Sequence, residues 1–179
     1  MAESNPQAYQ ELIDRIVKRD ELAYQQLFYQ FYKDLVHYGY TIVQDQGSAE
    51  DIVADLFLKI WTMEERLLDV QHLPFYLYRA VRNKGISQQK SGARITYGDP
   101  DIEQVEFHTP ENILISKENI NQIQYQVNNL PPRCRQVFTL IRDNGLSYQE
   151  VAELLEISIH TVNRHMQEAL HKLHTSLKK

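Results

Sequence analysis

The chain has 179 residues, a net charge of −5, 42% hydrophobic residues and a single cysteine. That is room for one ordinary domain or two small ones, with apolar material enough for real cores, so wholesale disorder is excluded. The apolar runs are far too short to span a bilayer. Met1 to Gln10 lacks the basic-then-apolar pattern of a signal peptide. Cys134 alone forms no internal disulfide, which fits a reducing compartment, and the expected location is cytoplasmic.

The charge is uneven. Residues 1–90 carry ten basic and thirteen acidic side chains, residues 91–116 one and five, and residues 117–179 eight and six. Only the C-terminal third is basic, and mildly. Phosphate neutralisation supplies most non-specific affinity for DNA, so a chain like this holds DNA poorly by itself.

The periodicity is helical throughout. Tyr9, Leu12, Ile13, Ile16 and Val17 make a first stripe. Asp20 suits a helix cap before a second stripe of Leu22, Ala23, Leu27, Phe28, Phe31, Tyr32, Leu35 and Val36. Ser48-Ala49-Glu50-Asp51 reads as a helix start, a hydroxyl cap followed by acids, with Ile52, Val53, Leu56, Phe57, Ile60 and Trp61 behind it. Pro74 suits the first position of a helix running through Asn83 to about Gln89.

The texture then changes. From Lys90 to about Thr109 glycine, proline and acids replace any stripe, and unstructured stretches of this length are linkers or functional loops. Periodicity resumes with Ile113, Ile120, Ile123, Val127 and Leu130, breaks at Pro131-Pro132, and returns with Val137, Phe138, Leu140 and Ile141 before a stop at Asn144-Gly145. The expected fold is all-α: two small helical domains, residues 5–90 and 112–179, joined by a flexible acidic linker at 91–111.

The C-terminal end carries the sharpest local motif. Ser147-Tyr148-Gln149-Glu150 is a capping box before Val151, Ala152, Leu154 and Leu155. Glu156-Ile157-Ser158 makes a tight turn, and Ser158 caps a longer helix with Val162, Met166, Ala169, Leu170, Leu173 and Leu177 on one side. Two short helices on such a turn describe a helix-turn-helix, whose second helix enters the major groove. Its polar face holds His160, Thr161, Asn163, Arg164 and Gln167; Asn and Gln can read adenine, and Arg guanine. An amphipathic hairpin with a solvated outer face is the plain alternative. In the N-terminal half, Glu50, Asp51, Asp55 and Lys59 share the polar face of their helix, and Tyr76, Tyr78, Arg79, Arg82, Asn83 and Lys84 interleave aromatics with basic and amide groups. That mixture suits single-stranded nucleic acid, where bases stack and the backbone is neutralised; buried tyrosines beside solvated arginines explain it equally well.

Other chemistries are not supported. His160, His165, His171 and His174 raise the question of a metal, but no thiol or carboxylate near them in the chain completes a ligand set, so no metal and no cofactor are expected. Nucleophile, base and orienting group fall into no recognisable arrangement, and no glycine loop cradles phosphate, so an enzyme is not expected.

Ser48 to Trp61 strongly resembles conserved region two of extracytoplasmic-function (ECF) sigma factors of the sigma-70 family. Tyr76-Leu77-Tyr78-Arg79-Ala80-Val81-Arg82-Asn83 resembles that family's promoter-melting helix. Leu130-Pro131-Pro132-Arg133 to Phe138, Leu146 to Ala152, and Ser158 to Leu170 resemble region four. The resemblance implies that Glu50, Asp51, Asp55 and Lys59 contact core RNA polymerase. Tyr76, Arg79, Arg82, Asn83 and Lys84, with the loop Leu67 to Pro74, would take the minus-ten promoter element, and Ser158, His160, Thr161, Asn163, Arg164 and Gln167 the minus-thirty-five element. It leaves room for an anti-sigma factor as a further partner and implies no membrane insertion. It also accounts for the charge, because the polymerase supplies much of the positive surface. A free-standing helix-turn-helix regulator is the alternative; it predicts a basic protein that binds DNA unaided.

Overall fold

The computed structural model describes residues 6–91 and 125–177. Among these every regular element is helical, and the chain divides into two compact units. The linker expected at 91–111, apart from Ser91, and the stripe positions Ile113, Ile120 and Ile123 lie outside the described residues.

The N-terminal unit contains α1 (Pro6–Val17), α2 (Glu21–Val43), α3 (Gln46–Thr62), a 3-10 helix (Glu64–Asp69) and α4 (Leu73–Ser91). Its core is Leu12, Ile13 and Ile16 of α1; Ala23, Leu27, Phe31 and Leu35 of α2; Ile52, Val53, Phe57 and Ile60 of α3; and Leu77, Tyr78 and Val81 of α4. Asp20 caps α2 as expected, accepting from the amides of Leu22 and Ala23. Leu22 does not join the stripe: it is 70% exposed. Nine residues at 100° each set it half a turn from buried Phe31.

The start of α3 also differs from expectation. Asp45 is the cap, accepting from the Ser48 amide at 2.8 Å, and the helix begins at Gln46. Gln44, in the left-handed conformation with φ 54°, ends α2 and turns the chain at once. Asp45 is thereby in place to cap, and Ser48 falls inside the first turn instead of before it.

The segment Leu67 to Pro74 is not a plain loop. The 3-10 helix holds Leu67, and Leu67, Val70 and Leu73 are buried, with α4 starting at Leu73, one residue before the proline. Arg19 ties this region to the α1–α2 turn: it donates to the Trp61 carbonyl, pairs with Glu64 at 3.0 Å, and stands over the Trp61 ring at 5.2 Å. Two glycines let α2 approach its neighbours. A Cβ on Gly39 would stand 3.4 Å from Ala49 Cβ and Val81 Cγ1, and one on Gly85 would stand 3.0 Å from Ile42 Cγ2. The register of α4 on α2 is fixed by this contact and by Gln89 donating to the Ile42 carbonyl.

The C-terminal unit has a helical turn at 125–128, then α5 (Pro132–Arg142), α6 (Tyr148–Leu155) and α7 (Ile159–Leu177). Val127, Leu130, Cys134, Ala169 and Leu173 pack together, with Phe138 against them. After α5, Gly145 takes a positive φ of 70°, a conformation that suits glycine, and lets buried Leu146 donate back to the Leu140 carbonyl. The capping box is formed: the Glu150 amide donates to Ser147 Oγ, and the Glu150 carboxylate accepts from the Ser147 amide at 2.8 Å. Glu156 closes α6 in the left-handed conformation, φ 54°. The buried stripe of α7 is Val162, Met166, Ala169 and Leu173. Leu170, expected on it, is 43% exposed, one helical step beyond Ala169.

Candidate nucleic-acid interface

Two surfaces of the N-terminal unit and one of the C-terminal unit hold the residues singled out from sequence. On α3, Asp51, Asp55 and Lys59 are exposed along one line of the helix, while Glu50 is half-buried and accepts from Gln46 Nε2 at 2.7 Å. The same line carries Leu58, which is 62% exposed. Sequence reasoning passed over Leu58; the signal was its position off the stripe formed by Leu56, Phe57 and Ile60. Leu58 adds one exposed apolar group to an otherwise charged face.

On α4, Tyr76, Arg79 and Asn83 fall on one face, since 3 and 7 residues bring side chains back to the same side. Arg79 and Asn83 are exposed and Tyr76 is half-buried, its hydroxyl 3.2 Å from Met63 Sδ. Phe75, also missed from sequence, lies beneath Arg79 with the guanidinium 5.8 Å from the ring centroid. Arg82 is half-buried and Lys84 exposed, to either side of that face. Tyr78 is 2% exposed and packs edge-on against Tyr38 at 5.2 Å, so of the two tyrosines it is core, and Tyr76 alone remains for stacking. Lys84 reaches across to Asp55, 3.8 Å away, so the acidic face of α3 and the basic face of α4 adjoin.

On α7, Ser158 Oγ accepts from the Thr161 amide at 3.1 Å and contacts the Thr161 hydroxyl at 2.8 Å. This capping fixes the first turn. Thr161 is half-buried; His160, Asn163, Arg164 and Gln167 are exposed. Burial of Val162 and Met166 sets the rotation, and Asn163 Nδ2 donates to the Ile159 carbonyl at 3.1 Å. The outer face of α7 is therefore a polar surface of amide, guanidinium and imidazole groups on a rigid helix. That inventory can read base edges and contact phosphate.

One further cluster was not foreseen. Cys134 of α5 lies beside His165 and Glu168 of α7. Burial, with the hydrogen-bonded Glu168 carboxylate adding to it, pushes the Cys134 thiol up to about 11.

Comparison with known proteins agrees with this architecture. Residues 27–95 match the family described as Sigma-70 region 2, and residues 120–173 that described as Sigma-70, region 4. The RNA polymerase sigma factor SigZ of Bacillus subtilis is 29% identical over 150 residues, 82% of each chain. The ECF sigma factor SigW of the same organism is 26% identical, covering 89% of this chain and 93% of its own. The ECF sigma-E factor of Escherichia coli is 27% identical, covering 86% and 85%. The chain belongs to the sigma-70 family of RNA polymerase sigma factors and, within it, to the extracytoplasmic-function type. Among the described residues no helix is long and apolar enough to cross a membrane.

Proposed function

We propose that this chain binds core RNA polymerase and directs it to a set of promoters, acting in the cytoplasm as an initiation factor and not as an enzyme. The observation that carries the reading is the order of three surfaces in one chain: the α3 face, the adjoining α4 face, and the outer face of α7, within matches to region two and region four. The exposed line of Asp51, Asp55, Leu58 and Lys59, with Glu50 at its edge, is the polymerase contact. Tyr76, Arg79, Arg82, Asn83 and Lys84 take the minus-ten element, where Tyr76 offers a ring for an unstacked base and the cations meet phosphate. The face of Ser158, His160, Thr161, Asn163, Arg164 and Gln167 reads the minus-thirty-five element as duplex. An anti-sigma factor would compete for these same faces.

Electrostatics support division of labour with the polymerase. A net charge of −5 leaves little counterion release to drive DNA binding by the chain alone. Fluorescence polarisation on promoter fragments near physiological salt tests this. The purified chain alone is expected to bind without tight specificity, and addition of core polymerase to yield a specific complex. Tight sequence-specific binding by the isolated chain would favour the free-standing regulator.

A further inference from the structure

His165 and Glu168 are three residues apart on α7 and so share one face, and Cys134 on α5 faces them. Cys134 Sγ and His165 Nδ1 are 3.5 Å apart, and one donor atom from each of the three residues lies within 4.8 Å of the others. Tetrahedral zinc, with Zn–S of about 2.3 Å and Zn–N of about 2.0–2.1 Å, sets its sulfur and nitrogen ligands about 3.6 Å apart. The observed separation is that of one edge of such a tetrahedron. Glu168 is exposed, so its carboxylate closes on the same point by rotation about its own side-chain bonds.

The donor set is selective. A divalent metal that binds here displaces the Cys134 proton to solvent, and the resulting thiolate with an imidazole and a carboxylate suits a borderline transition metal, whereas calcium and magnesium take oxygen ligands. Burial is graded from Cys134 through His165 to Glu168, which leaves a path to solvent. Three protein ligands leave a fourth position for water or an incoming ligand, the pattern of an open zinc site. We propose that Cys134, His165 and Glu168 form a binding site for a divalent transition metal of the zinc class, joining α7 to α5. The expectation of no metal rests on ligands near the histidines in sequence, whereas the thiol arrives from another helix, 31 residues away. His165 and Glu168 are the chain neighbours of Arg164 and Gln167, so a bound cation fixes the reading helix and adds positive charge beside its outer face. That consequence rests on the promoter-reading function above; the site itself does not.

The plain alternative is a thiol–imidazole contact in a packed interior. The full chain, stripped with chelator, is titrated with cobalt(II) alone as a spectroscopic stand-in for zinc. The expected result is one bound equivalent with tetrahedral visible bands and a thiolate-to-cobalt charge-transfer band, all displaced by zinc. Cys134→Ser removes the charge-transfer band. His165→Gln and Glu168→Gln, less buried and checked for retained helicity, each weaken affinity by more than about tenfold. Absence of the thiolate band in the wild-type chain overturns the proposal. So does wild-type affinity in His165→Gln or Glu168→Gln, which would move binding to surface histidines such as His171 and His174. Metal binding with the stated variant effects supports the site even if the chain fails to direct transcription, so the two readings fail separately.

Discussion

Lys84 Nζ lies 3.8 Å from Asp55 Oδ2, joining the basic face of α4 to the acidic face of α3. Both side chains are more than half exposed, at 53% and 66%. Exposed pairs of this kind contribute about 0–1 kcal/mol to stability. The pair therefore matters less for holding the helices together than for bringing the two proposed contact surfaces side by side.

The first prediction follows from that exposure. Asp51→Lys combined with Asp55→Lys should weaken capture of core polymerase by about tenfold or more. Helicity and melting temperature should stay nearly unchanged, because neither residue is packed in the core. Pull-down together with circular dichroism measures both. Undiminished capture would make this an ordinary solvated face.

Acid sensitivity should trace to two helix caps. Asp20 and Asp45 are held below the usual carboxylate range, Asp20 chiefly by its hydrogen bond from Arg15 and Asp45 by the Ser48 amide. With the folded value depressed, the unfolded chain takes up protons first. The stabilisation is complete above the unfolded aspartate pKa of about 3.9 and fades as pH falls through the lower folded values. Asp45→Ala should therefore lower the urea midpoint at neutral pH, and its gap to wild type should narrow below pH about 4. A gap independent of pH would mean that the charged form of the cap is not what matters.

The proposed reading helix, α7, gives a sharper test. Arg164 is exposed on the outer face of α7. As a base reader, Arg164→Ala should lose about 1–3 kcal/mol at the preferred upstream element and relax preference at one position. A phosphate contact would weaken all sequences alike. Asn163 is the other proposed base reader, with His160 or Thr161 as the proposed phosphate contact. Transcription from promoters randomised only in the upstream element distinguishes these roles. Unchanged activity and preference in Ala variants of His160, Asn163, Arg164 and Gln167 would remove this face from DNA.

Much of this was legible in the sequence because helices advertise themselves locally. Asp20, the Ser147–Glu150 box, Gly145 and the Val162–Met166 stripe all act within one or two turns of chain. The errors have physical causes of longer reach. Asp45 displaced Ser48 as a cap because Gln44 turned left-handed. Leu22 and Leu170 fell off their stripes because neighbouring helices cover less of the circumference than the apolar residues span. The segment after α3 looked like a loop until Leu67, Val70 and Leu73 were buried against the bundle. The cluster of Cys134, His165 and Glu168 was invisible because 31 residues separate the thiol from the imidazole. Packing, and not spacing, brings them together. Leu58 differs: its position off the stripe marks it as outward-facing, but spacing alone gives an outward leucine no role.

The central claim is that this chain confers promoter choice on core polymerase. The most direct measurement is transcription of a genomic DNA library by core polymerase with and without the chain, with transcript 5′ ends mapped. The account predicts a discrete set of start sites that appears only when both are present, each preceded by shared upstream and downstream elements. Start sites unchanged by adding the chain would contradict it.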